Sequence, residues 1–228
     1  MKKIQYIFDY YKLPIVIAAI VLYIIGFSIF KAQTKKEPLL YAALVNVSAS
    51  QELVDELSEG FLDSLGPDGS KETMLLAAGW YLTDHPDADT LTYTRASQMK
   101  ILAGIDAEQL DLVFMDKEAF DAFSQNGYLH DLGALLSDSE DFPEALAEKG
   151  RPHLVTNMEI VEDNAKEIAL DDSLEYYSVT KEYPMGIDLS EFPLIKNAQF
   201  SDKVYLGIIS NTPRVENAVR YLDYLCGE

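Results

Sequence analysis

The sequence predicts an α/β domain carried behind a single N-terminal membrane-spanning helix, and three observations predict it. One uncharged apolar segment lies near the start, apolar runs of strand length break repeatedly into helices with capping residues, and the acidic residues gather after the apolar segment. The 228 residues suffice for one domain of ordinary size plus that N-terminal segment.

Leu13 to Phe30 (LPIVIAAIVLYIIGFSIF) are eighteen residues without a charge, flanked by Lys12 and Lys31. That length meets the requirement of about 17–25 residues for crossing a bilayer. It exceeds the roughly 7–15 residues of a signal-peptide core, and Ile29 to Gln33 offer no small-residue cleavage site. The layout expected is a cytoplasmic tail over 1–12, a transmembrane anchor over 13–31, a linker over 32–38 and an extracytoplasmic domain over 39–228. The protein is thus expected to sit single-pass in the cell membrane. Lys2, Lys3 and Lys12 on one side balance Lys31, Lys35 and Lys36 on the other, so flanking charge does not set the orientation.

Of 18 basic and 38 acidic residues, the first 37 positions hold 6 and 2, which leaves 12 and 36 for the rest and a net charge of −24 there. A field of that sign repels phosphate backbones and anionic headgroups, which argues against nucleic acid as a partner of the domain. The one cysteine, Cys226, can form no internal disulfide and cannot by itself hold a structural zinc.

Along the domain, Leu39 to Val47 (LLYAALVNV) is a continuous apolar run of the kind found in central strands. Ser48 with Gln51 forms a capping-box pattern, and Leu53, Val54, Leu57, Phe61 and Leu65 recur at helical spacing until Gly66-Pro67. Met74 to Leu82 reads as a second strand. A short extended stretch, Leu91 to Tyr93, then precedes a helix from Ala96 to Ile105. Leu110 to Met115 is a third strand, with Asp116 as N-cap, Ala119, Phe120 and Phe123 as a buried face, and Gly127 as the stop. Repeated strand-to-helix units of this kind predict a mostly parallel sheet flanked by helices.

Later segments are less periodic. Residues 137–149 are acidic and polar; His153 to Val161 and Ala165 to Leu170 read as paired strands around Glu162-Asp163-Asn164. Leu174 to Thr180 is extended, Tyr183 to Asp188 reads as a crossing segment, and Lys203 to Ile209 is a last strand. Thr212-Pro213 opens a terminal helix, packing through Val215, Ala218, Val219, Leu222 and Leu225.

The middle stretch combines Leu102 to Glu108 (LAGIDAE), Asp111 to Phe114 (DLVF) and Gly127 to Leu132 (GYLHDL). In this order it resembles the first lobe of extracellular solute-binding proteins of bacterial ABC importers, which have the type 2 periplasmic-binding fold. The tail VYLGIISNTPRVENAVRYLDYL resembles the closing strand and helix of that family. The layout as a whole is similar to small membrane-anchored relatives in Gram-positive bacteria that begin with a DYYK-type segment. The resemblance implies a periplasmic-binding-protein-like sheet with flanking helices, in which only 137–182 remain for a reduced second lobe or insertion. It further implies recognition rather than catalysis: binding of a small solute or peptide or, if the cleft is lost, of a protein partner in a cell-envelope complex.

In open α/β sheets ligands sit beyond the carboxyl ends of strands, where helix N-termini present free N–H groups. That places candidate ligand residues at Asn46, Ser48 and Ser50 and at Asp116 and Lys117; Trp80, Tyr183 and Met185 join them because such side chains are common at binding surfaces. Capping alone also accounts for Ser48 and Asp116, and core packing for Trp80 and Met185. No catalytic motif, metal-ligand spacing or cofactor fingerprint occurs, and His85, His130 and His153 are scattered, so no enzyme, metal or cofactor is expected.

Overall fold

The structure is a computed structural model that describes residues 14, 16–27, 37–66, 72–83, 85–138, 153–171, 173–197, 200 and 203–227. It divides into two units, residues 1–37 and 38–228. In the first, residues 16–27 are helical, with Tyr23 and Phe27 stacked at 6.2 Å. Among the described residues no helix is long and apolar enough to cross a membrane. Residues 13, 15 and 28–31 of the expected anchor lie outside them, as do 139–149 of the acidic segment.

The second unit is α/β, a six-stranded mixed sheet with flanking helices. In chain order it contains β1 (Glu37–Val45), α1 (Gln51–Asp55), a π-helical turn (Glu56–Gly60), α2 (Phe61–Ser64), β2 (Glu72–Trp80), α3 (Leu91–Asp106), β3 (Leu112–Met115) and α4 (Lys117–Gln125). Then follow α5 (Leu132–Asp138), β4 (Leu154–Asp163), α6 (Ala165–Ile168), β5 (Ser178–Asp188), α7 (Pro193–Asn197), β6 (Tyr205–Ile208) and α8 (Val215–Gly227). Sheet order is β2-β1-β3-β6-β5-β4.

The apolar runs that became β1, β3 and β6 are central strands whose side chains are buried on both faces, whereas β2, at the sheet edge, is partly exposed. Leu40, Ala42 and Leu44 of β1 join Leu112 and Phe114 of β3 against α1, α2 and α8. Ala43 and Val45 join Val113 and Met115 against α3 and α4. A strand buried on two sides carries no polar alternation, which is why the runs are continuous.

The expected mostly parallel sheet is corrected. β1 and β3 are parallel, but β3–β6, β6–β5 and β5–β4 are antiparallel. Direction depends on how the chain returns, and α7 and α8 bracket a strand that comes back the other way. Other boundaries also move. The stretch Leu91 to Tyr93 is helical, being the first turn of α3. Ala165 to Ile168 is a helical turn and not a strand. Tyr183 to Asp188 lies within β5 and does not cross between lobes, because it pairs with both β4 and β6.

The π turn in the first helix is held from outside. Tyr221 and Tyr224 of α8 donate to the carbonyls of Leu57 and Glu56, each at 2.9 Å. A Cβ on Gly60 would lie 2.6 Å from the Tyr224 hydroxyl, so glycine admits that ring. The Tyr221 ring packs edge-on to Phe61 at 4.9 Å. Its full burial pushes the phenol's pKa up, so it is a hydrogen-bond donor at every ordinary pH.

Candidate functional site

The two strand-end corners singled out in the sequence meet in space. Asn46, at the end of β1, adopts the left-handed conformation (φ 59°), which asparagine tolerates better than most residues. Its amide donates to the Leu82 carbonyl at 2.6 Å and to Asp116 Oδ1 at 3.1 Å, while its Oδ1 accepts from Leu82 N–H at 2.8 Å. Its backbone N–H donates to the Trp80 carbonyl at 3.0 Å. Asp116 Oδ1 also accepts from Ala119 N–H at 2.8 Å, capping α4 as expected. One side chain therefore ties the carboxyl ends of β1, β2 and β3 together.

The remaining candidates divide. Ser50, and not Ser48, is the N-cap of α1, accepting from Leu53 N–H at 3.2 Å, while Gln51 reaches Asp55 instead. The capping box fails because the chain turns at Asn46 and runs without regular structure to Ser50, which delays the helix by two residues. Ser48 is exposed. Trp80 is buried, edge-on to Tyr41 at 6.4 Å, and Met185 is buried in the α3–α4 side of the core. Lys117 pairs with Asp121 one turn on and lies 5.9 Å from the centre of the Phe120 ring. Tyr183 donates to Glu159 Oε2 at 2.6 Å across the β4–β5 ladder. Partial burial raises its pKa, and the bonded Glu159 carboxylate raises it further.

Beside the corner, Leu82 lines a groove between α3 and α4 of about 210 Å³, walled by Ile101, Leu102, Phe123 and Tyr128 with the polar ends of Gln98 and Asn126. Ligand pockets generally enclose about 300–1,000 Å³. None of the eight candidate residues lines the groove. Searches of family models and of curated proteins found no match to the chain.

If the corner is architectural, removing the Asn46 side chain should cost stability in a graded way. Asn46→Gly keeps the left-handed conformation and loses the bridging bonds, for an expected loss of about 1–3 kcal/mol. Asn46→Ala loses the same bonds and adds a left-handed penalty of about 1–2 kcal/mol. Urea midpoints of the two variants check this, and equal midpoints would contradict the conformational part.

The other feature is a ribbon whose first strand and an extended run before its second were read from the sequence, but whose pairing was not. β4 and β5 pair from Leu154↔Ile187 to Asp163↔Ser178, with two register shifts. Near the body it is braced by Asn157 Nδ2 donating to Asp121 at 2.7 Å and by the Tyr183–Glu159 bond. Beyond that, Ser178 to Glu182 are all exposed. At the tip Asn164, itself buried, donates to the Glu175 carbonyl and accepts from Tyr177 N–H, both at 2.9 Å. Asp171 accepts from the backbone and hydroxyl of Ser173. These bonds fold residues 164–177 into a closed loop whose apolar side chains face outward. Leu170 is 91% exposed, Tyr176 57% and Tyr177 51%, with Leu174 and Val179 also exposed. The asparagine that closes a turn was legible as a turn residue; its partners eleven and thirteen positions on were not.

Proposed function

We propose that the chain is a membrane-anchored, extracytoplasmic protein-interaction module that docks its partner through the β4–β5 ribbon. The observation that carries this reading is a loop whose polar bonds are spent internally while its large apolar side chains stand in solvent. Contiguous exposed apolar surface on an otherwise charged domain marks interaction sites, and an ordered loop loses less entropy on docking. In this reading the solute-binding-protein-like sheet is a scaffold and residues 13–31 are the anchor. Binding of a small solute at the strand ends is less well supported, because Asn46 and Asp116 bond one another and the groove beside them is small for a ligand.

A photo-crosslinking amino acid placed at Leu170 of the full-length protein, in the cells that make it, tests this. The expected result is a discrete protein adduct that is absent when the same residue replaces the exposed Asp63. No adduct at 170, together with a rise in melting temperature on adding a sugar, amino acid or nucleoside, would overturn the reading in favour of solute binding. A ligand at 100 times its Kd adds about 2.7 kcal/mol, which such a melt resolves.

A further inference from the structure

We infer that the ribbon tip takes a cationic polypeptide segment, one that carries lysine or arginine beside apolar or aromatic residues; this rests on the interaction-module reading above. Around Leu170, Tyr176 and Tyr177 the chain places Glu162, Glu167, Asp171 and Glu175. Residues 154–182 hold eight acidic and two basic side chains, a net charge of −6. Lys181 already stands opposite Glu159 in the ladder. Among the described residues, no lysine or arginine forms an ion pair with a carboxylate of residues 154–182; the four pairs of the domain lie elsewhere, the nearest being Lys203 with Asp188 at the base of β5.

The tip is thus an apolar surface rimmed by carboxylates left without cations, and the complementary surface has apolar contacts flanked by positive charge. The charge also discriminates among occupants. A second copy docking through the same tip would set −6 against −6, and an anionic lipid surface would be repelled in the same way. Tyr177 donates to Glu162 at 3.2 Å, so its ring is held to the ribbon and its outer face is presented in a fixed orientation. Tyrosine and arginine are, with tryptophan, the side chains enriched at binding hot spots, and an arginine stacked on a tyrosine face with its fork on a carboxylate suits this tip.

The test is fluorescence anisotropy of the full-length protein, held in detergent micelles or nanodiscs, with three labelled peptides. The first alternates lysine and arginine with leucine and tryptophan, the second replaces every cation with glutamate, and the third keeps the cations but replaces the apolar residues with serine. The expected result is binding of the first alone, at least tenfold weaker for Leu170→Ser with Tyr176→Ser, and several-fold weaker for Glu167→Gln with Glu175→Gln. Affinity should fall between 50 and 500 mM salt for the native protein and less steeply for the glutamine variant.

These positions are exposed, so unchanged melting temperatures verify that the variants fold. Equal binding of the first two peptides, or binding indifferent to the ribbon substitutions, would overturn the inference. So would concentration-dependent dimerisation abolished by Leu170→Asp, which would make the occupant a second copy. A crosslinked adduct at position 170 without binding of the cationic peptide would leave the module reading standing and remove only this partner chemistry. Loss of both would remove the module reading as well.

Discussion

Arg214→Met should destabilise the domain by about 3–5 kcal/mol, the usual cost of leaving a buried charge without its partner. Asp111 is fully buried, and its carboxylate is the meeting point of four parts of the chain. Oδ2 accepts from Tyr41 N–H of β1 at 2.7 Å; Arg214 Nε donates to both oxygens at 3.0 and 2.9 Å; and the Thr212 hydroxyl donates to Oδ1. Arg214 also reaches the Glu108 carbonyl at 2.8 Å, clasping the turn before β3. Methionine keeps much of the arginine stem's packing but supplies no donor, so the buried carboxylate loses its cationic partner. Combining Arg214→Met with Asp111→Asn should restore part of the loss, because the amide oxygen still accepts from Tyr41 while the charge is gone. A coupling of 0.5–3 kcal/mol in that cycle is the expected signature of directly interacting groups, read from urea midpoints at constant m-value. A single-variant cost below about 1 kcal/mol would mean the pair behaves as an exposed one.

Phe120→Ala is expected to cost about 3–5 kcal/mol, as large-to-small changes of buried aromatic residues do. The ring is fully buried, stacked on Tyr205 at 4.9 Å with an interplanar angle of 9°. Its edge occupies the space above Gly186, where a Cβ would come within 2.6 Å of Phe120 Cε2. Gly186 lies in β5 just where the ribbon enters the sheet, so the same cavity should loosen the ribbon's base. Amide exchange of β5 residues 185–188 should quicken more than that of β1, whose side chains on the α1–α8 face do not touch the cavity. Lys117→Ala, one turn away on α4, serves as the control; its ion pair is exposed, and its loss should stay within about 0.5 kcal/mol. A Phe120→Ala cost no larger than that of the control would mean that the ring is not part of the packed core.

These two sites were unequally legible. Phe120 was readable from helical spacing with Ala119 and Phe123, because a buried helix face repeats within a few residues. Asp111 stood out only through its place in the DLVF motif, and nothing near it in sequence announces Arg214, 103 positions on. Asn46 and Asp116 were each readable as strand-end residues. That they bond one another across 70 positions was not. The ribbon was the hardest element to read. Its outer part is exposed and its pairing carries two register shifts, so the partners Leu154 to Asp163 and Ser178 to Ile187 share no local pattern that marks them as a pair.

The sequence by itself determined which runs would be central strands, where α4 starts and stops, and the acidity of the domain. Continuous burial, a capping aspartate and net charge are all written in residues adjacent along the chain. The tertiary structure alone decided the mixed direction of the sheet, the burial of Asp111 with Arg214, the bond between Asn46 and Asp116 at the strand ends and the outward display of Leu170, Tyr176 and Tyr177. Each of these depends on which distant segments meet. Local patterning records how much water a residue avoids, whereas the choice of partner is made by chain return and strand register over many tens of residues.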